Sequence, residues 1–245
     1  MFWFKTKTIV LDAFTYRDVI AEQYPLARAS KHIPDWWKNL PSSTRDSYVP
    51  TVKNCQGFLD LYTNSFVLPL WSDVQIELSS LEGQKNWRYQ YADQFSIIDQ
   101  HDSSMYAGFV DNERYQHFKF VAPWLVKEKS GVKFTLFQPS WNMGNLNCKY
   151  SVLPGVVDFK YQYSVNVNAM FEYPENSTRK LLIEAGTAIA QFTAHSDKNV
   201  DIRCHSISEE EFKRKFHITK FAGSYLERKK RINSNESKCP FKAWH

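Results

Sequence analysis

The run Asp73-Val74-Gln75-Ile76-Glu77-Leu78 is followed by Glu82-Gly83-Gln84 and then by Trp87-Arg88-Tyr89-Gln90-Tyr91. Val74, Ile76 and Leu78 recur at every second position against Asp73, Gln75 and Glu77, and Trp87, Tyr89 and Tyr91 recur likewise against Arg88 and Gln90. A period of two puts one set of side chains on each face of a strand. The intervening glycine supplies the backbone angles of a tight turn, so the stretch predicts a hairpin. Working outward, strand-like runs are expected at Lys7–Phe14, Gly57–Tyr62, Ser65–Leu70, His117–Val121, Val132–Phe137, Val152–Phe159, Tyr163–Phe171, Lys180–Glu184 and Ala188–Ala194. Part of Tyr16–Lys31 is expected to be helical, interrupted by Pro25, and a helical turn is expected between Pro34 and Pro41. Ser42–Ser47 and Asn142–Asn147 carry turn chemistry. Ser208-x-x-Glu211 is a capping box ahead of Phe212 and Phe216, and a second helical piece is expected over Ser224–Ile232. The reading is a mainly β protein, sandwich or barrel, with short N-terminal helices and a helical C-terminal tail. Residues 1–245 are read as one domain, within which 1–50 could form a sub-lobe and 208–245 the tail.

Composition agrees. The 245 residues are 43% hydrophobic and 23% charged, as in ordinary globular chains. The 18 Phe, 13 Tyr and 8 Trp exceed what a helical bundle needs and suit pleated surfaces. Net charge is +5, with a concentration at Arg228-Lys229-Lys230-Arg231. That run reads as a solvated helix face, or as a weak contact for nucleic acid, with the rest of the chain too balanced to coat DNA. The four cysteines, Cys55, Cys148, Cys204 and Cys239, have no CxxC or zinc-finger spacing and read as free thiols of a reducing compartment. With no apolar run of signal-peptide or membrane-spanning length, the expectation is a cytoplasmic protein without a membrane partner.

One segment carries chemical information. Gly155-Val156-Val157-Asp158-x-x-Tyr161 leads through alternating Val165, Val167 and Ala169 to Leu182-Ile183-Glu184-Ala185-Gly186-Thr187-Ala188-Ile189-Ala190-Gln191. This resembles the core of the dUTPase and dCTP-deaminase superfamily, over about 70 residues from Pro123 to Thr193. The resemblance implies a dUTPase-like β-clip, a nucleotide ligand with magnesium, and a homo-oligomer. Asp158 would orient water or deoxyribose, Tyr161 would stack on the sugar, and Gln191 closes the last motif. The family's Pro-Arg-Ser phosphate motif is here Pro123-Trp124-Leu125, its Arg-Gly-Glu is Gln162-Tyr163-Ser164, and the Asp of its last turn is Thr187. Trp and Leu neutralise no phosphate, so the implied protein is a nucleotide binder or vestigial dUTPase and not an active one. The whole chain is also similar to a family of uncharacterised phage and marine bacterial proteins. That similarity rests on Pro34-x-Trp36-Trp37, Val52-Lys53-x-Cys55, Leu68-Pro69-Leu70, Leu153–Asp158 and Gly186-Thr187. It implies a viral origin, with the host cytoplasm as location, and no activity.

Two other classes compete. His195-x-Asp197, with His205 further on, has the spacing of a facial triad, which would make the chain a jelly-roll oxygenase using iron and 2-oxoglutarate. His101-Asp102-Ser103-Ser104 mixes hydrolase residue types without a nucleophile elbow. Trp36, Trp37, Trp71, Trp87, Trp124 and Trp141 could line a sugar- or base-stacking groove where exposed. The third class is a non-enzymatic structural or interaction protein of a virion, marked by an exposed apolar patch.

Overall fold

The structure, a computed structural model, describes residues 8–44, 49–92, 97–100, 103–106, 108–139, 150–221 and 225–237. The first half contains β1 (Ile9–Thr15), α1 (Asp18–Gln23), β2 (Ala27–Arg28), α2 (Asp35–Asn39), α3 (Gln56–Thr63), β3 (Ser65–Pro69), β4 (Val74–Leu81), β5 (Gln84–Tyr91) and β6 (Ile97–Asp99). The second half contains β7 (Tyr115–Glu128), β8 (Phe134–Phe137), β9 (Tyr150–Val152), β10 (Gly155–Val157), β11 (Ser164–Glu172), β12 (Ser177–Ile183), β13 (Ala188–Ala194), β14 (Val200–Ser206), α4 (Glu209–Phe221) and α5 (Tyr225–Ser237).

The strands form three sheets. The first runs β14-β1-β7-β11-β9, with β6 also on β7; the second runs β10-β8-β13-β3-β2; the third runs β12-β4-β5. None closes into a barrel, and the layering is that of a sandwich. β1 and β14 pair in parallel, which only the long excursion between them allows. One apolar cluster fills the space between the sheets, drawing on residues from Ile9 to Val200. At its centre Phe66 and Phe192 stack at 4.6 Å, with Phe159 tilted against both and Phe134 edge-on to Phe66. The third sheet joins through Phe118, a fully buried ring of β7 that meets Trp87 and Tyr89 edge-on. A second, smaller cluster lies over the outer face of the second sheet, where Trp37, Tyr62, Phe58 and Leu61 cover Val67 and Ala188.

The hairpin forms as expected, with Glu82 and Gly83 both at positive φ in its turn. Ser208 caps α4, its hydroxyl accepting the Glu211 N–H at 3.2 Å. Gly57–Tyr62 is helical rather than extended. Its apolar residues Phe58, Leu61 and Tyr62 sit at i, i+3 and i+4 and face the smaller cluster together, a helical spacing that a six-residue run leaves ambiguous. Val152–Phe159 is two strands, because Leu153-Pro154 lets the chain leave the first sheet as β9 and enter the second as β10. β7 is longer than expected, and β14 was not anticipated at all. Asn142–Asn147, Trp141, Cys148, Cys239 and His101-Asp102 lie outside the described residues. Cys55 and Cys204 are free thiols. Among the described residues no helix is long and apolar enough to cross a membrane.

Candidate functional site

The alternation of β1 buries Ile9, Leu11, Ala13 and Thr15 and turns Val10, Asp12 and Phe14 to the outer face of the first sheet. β7 and β14 flank it in register, so that Asp12 stands opposite both Lys127 and Arg203, and Phe14 opposite both Leu125 and His205. The result is a trough with two ends.

The larger end is a cleft of about 390 Å³ whose lining includes Val10, Asp12, Lys129, Ser130, Lys198 and Arg203. Its carboxylates are spoken for. Glu128, only 2% exposed, accepts the N–H groups of Ser130 and Gly131 at 2.6 Å each and that of Val132 at 3.1 Å, and the Ser130 hydroxyl as well. That fixes the turn between β7 and β8. Asp12 Oδ1 meets His205 Nε2 at 3.0 Å, and the cleft's Arg203 is held through Nε by Asp201, outside the lining, at 3.1 Å. The ammonium groups of Lys129 and Lys198 have no partner among the described residues and stand at the cleft.

The smaller end, about 120 Å³, is a mostly apolar slot between β1, β7 and α4, lined by Phe14, Leu125, Val126, Lys127, Tyr163 and Lys215. Its two rings carry cations: Lys215 Nζ lies 4.5 Å from the Phe14 centroid, and Lys127 Nζ lies 6.0 Å from that of Tyr163. His205 stacks on Phe14 at 5.0 Å. The two ends share a wall, since Asp12 lines the first and its cross-strand partner Lys127 lines the second. From Val10 to Phe14 the trough runs about 13 Å at the usual strand rise.

The motif residues lie beside this trough, not in it. The Phe159 carbonyl receives the Glu128 N–H at 3.4 Å, which places the 158–161 turn against the end of β7. Asp158 is 6% exposed, its Oδ1 accepting the Lys160 N–H at 3.2 Å and its Oδ2 the Tyr225 hydroxyl at 3.3 Å. Tyr161 donates its hydroxyl to Asn233 Oδ1 at 2.8 Å and meets Tyr225 edge-on. Arg228, 6% exposed, donates to the Tyr161 carbonyl at 2.7 Å and lies over Tyr163, and burial pulls its guanidinium below the usual arginine range. Asp158 and Tyr161 are thus the socket of α5. The basic run is split by this docking: Arg228 turns inward, Lys229 lies over the Tyr161 and Tyr225 rings, and Lys230 and Arg231 stay exposed. Gln191 is fully buried on the outer face of the second sheet, donating to the Leu61 carbonyl at 2.7 Å.

His195, Asp197 and His205 are not brought together. His195 Nε2 meets Thr135 Oγ1 at 2.6 Å, Asp197 is exposed in the turn before β14, and His205 belongs to the trough. Among the described residues no three His, Cys, Asp or Glu side chains converge on one point. They do not fit an iron centre. Trp37, Trp71 and Trp124 are core, while the exposed Trp36 and Trp87 belong to different elements, α2 and β5. Of the trough residues the sequence singles out His205, as a triad ligand, and Leu125, at the phosphate-motif position, neither for the place it takes here. The alternation of β1 could have shown Asp12 and Phe14 as neighbours on one face, but their pairing with Lys127 and Arg203 spans more than a hundred residues.

Compared with models of known protein families the chain matches none, and no curated protein matches it.

Proposed function

We propose that this protein binds a nucleotide-sized ligand along the β1 trough, with its anionic group at Lys129 and Lys198 and its planar ring in the mostly apolar slot lined by Phe14, Leu125 and Tyr163. The observation that carries the reading is the shared wall: a cationic cleft and an aromatic slot meet at the Asp12–Lys127 cross-strand pair. A cleft of about 390 Å³ is of ligand-binding size. Ammonium groups attract phosphate oxygens, and a mostly apolar slot takes a planar base. A nucleotide is also the ligand class that the Pro123–Thr193 resemblance implies, although the residues used here are different ones. The reading is of binding rather than turnover, since Trp124 and Leu125, the positions that the resemblance pairs with the family's Arg-Ser, are buried at 0% and 2% exposure and offer no charge to a phosphate. Magnesium would arrive on the phosphates of a polyphosphate ligand.

The test is thermal stabilisation by a panel of deoxynucleotides, with and without magnesium. A ligand at one hundred times its Kd stabilises by about 2.7 kcal/mol. Lys129→Ala with Lys198→Ala removes two charge-assisted bonds of about 1.5–3 kcal/mol each and should weaken binding by more than about a hundredfold. Asp158→Asn should leave binding intact. No stabilisation by any nucleotide, or undiminished stabilisation of the double-lysine variant, refutes the reading.

A further inference from the structure

β5 is an edge strand eight residues long, and its register with β4 is unbroken from Leu81↔Gln84 to Val74↔Tyr91. On its other side it has no strand partner among the described residues. A two-residue turn makes Leu81 and Gln84 a hydrogen-bonded pair, so Gln84, Asn86, Arg88 and Gln90 direct their backbone groups to β4. The N–H and C=O groups of Lys85, Trp87, Tyr89 and Tyr91 therefore point to the open edge. Natural sheets guard such an edge with proline, a bulge, short length or free charge. β5 has no proline and no bulge, and its two cations are held, Lys85 by Glu113 at 2.7 Å and Arg88 by Glu77 at 2.8 Å. Trp87 and Tyr89 lie parallel, 2° apart, on the buried Phe118, yet remain 39% and 38% exposed. A rigid, half-buried aromatic pair beside unpaired backbone is surface made to be covered.

We infer that a second copy of this chain covers it, with β5 pairing antiparallel to β5 of the partner about a two-fold axis at Trp87. The occupant follows from the side chains. A two-fold axis normal to the sheet requires opposite residues of the same parity, which leaves registers centred on single residues, and only those centred on Trp87 or Arg88 pair all but one residue of Gln84–Tyr91. Centring on Arg88 sets one guanidinium against another, and like charges directly opposite destabilise. Centring on Trp87 sets Trp87 against its copy, Lys85 against the partner's Tyr89, Arg88 against the partner's Asn86, and Gln84 against the partner's Gln90. Every pair is then compatible: ring on ring, lysine stem on ring, guanidinium on amide, amide on amide. Trp87 also presents its backbone groups to the edge, so the axis falls on a hydrogen-bonded pair and the two third sheets become one sheet of six strands.

Three measurements decide it. Solution mass by light scattering should rise with concentration from 28.8 kDa toward twice that value. Asn86→Lys, at an exposed position, puts a lysine opposite each partner Arg88 and should raise the dimer dissociation constant at least tenfold at low salt, an effect that added salt relieves. In a Cys55→Ser background, Trp87→Cys should cross-link to its own copy on oxidation, because Cα atoms of a hydrogen-bonded pair lie about 5.5 Å apart, within disulfide range. Tyr89→Cys should not, because this register separates its two copies by about 14 Å. A monomer mass at every concentration, as an extended segment of another protein on this edge would leave it, overturns the inference. So does a dimer that Asn86→Lys leaves unchanged, or one that Tyr89→Cys links as readily as Trp87→Cys.

Discussion

Replacing Arg228 by methionine keeps most of the side chain's length while removing the guanidinium that holds α5 to the body of the protein. Arg228 donates to the Tyr161 carbonyl at 2.7 Å and sits over the Tyr163 ring at 5.6 Å. A bond from a charged donor contributes about 1.5–3 kcal/mol, and a cation over a ring about 0.5–1 kcal/mol. Burial of the guanidinium works against both, as the depressed Arg228 pKa records. The net loss is therefore about 2 kcal/mol, a factor of about 30 in the docking equilibrium. α5 is thirteen residues long and strongly polar, and a helix of that length is marginal on its own. Once undocked it should melt, releasing Tyr225 from Asp158 and Asn233 from Tyr161. Hydrogen exchange is the assay, since it reads stability segment by segment. The amides of 225–237 should exchange about thirtyfold faster in the variant, while those of β3, β7 and β13 keep their rates. Unchanged exchange in α5 would refute the docking geometry. Equal acceleration in α5 and the core strands would show that α5 unfolds only with the whole molecule.

Other outcomes follow from single contacts. Glu128→Gln removes the carboxylate that accepts from the Ser130, Gly131 and Val132 amides and the Ser130 hydroxyl. It should cost about 3 kcal/mol, lowering Tm by about 6–12 °C in a calorimetric scan. Glu82→Asn places the preferred residue ahead of Gly83, where Glu82 has φ of 50°, and should raise stability by about 0.5 kcal/mol in urea unfolding. His32 has its pKa lowered by burial first and by Lys31 second. A base whose folded pKa lies below its unfolded value of about 6.5 contributes stability above that value and loses it as pH falls toward the folded pKa. His32→Gln should therefore flatten the stability curve below about pH 6.5 and leave it unchanged above pH 8.

How much was legible varied with the range of the interaction involved. The hairpin of β4 and β5 could be read because alternation and turn chemistry are local, and Glu82-Gly83 takes the left-handed angles that such a turn requires. The Ser208 cap is equally local. Gly57–Tyr62 was misread because six residues hold too few periods to separate helix from strand, and the packing of Phe58 and Leu61 beneath Trp37 made the choice. β14 escaped notice because it pairs in parallel with β1 at the far end of the chain, and no turn announces such a partner.

The same division applies to function. Alternation, composition and caps are properties of neighbouring residues, so the sequence by itself determined a mainly β protein with short early helices and a helical end. It also singled out Asp158 and Tyr161, through the resemblance to the dUTPase superfamily, without saying what they touch. Tertiary structure decided that question in favour of α5, because Tyr225, Arg228 and Asn233 arrive from more than sixty residues away to take their polar atoms. It also made the trough, setting Asp12 beside Lys127 and Arg203, and Phe14 beside His205. Each strand position faces whatever the sheet order puts next to it, and sheet order is settled by the burial of a shared core rather than by any one strand's residues.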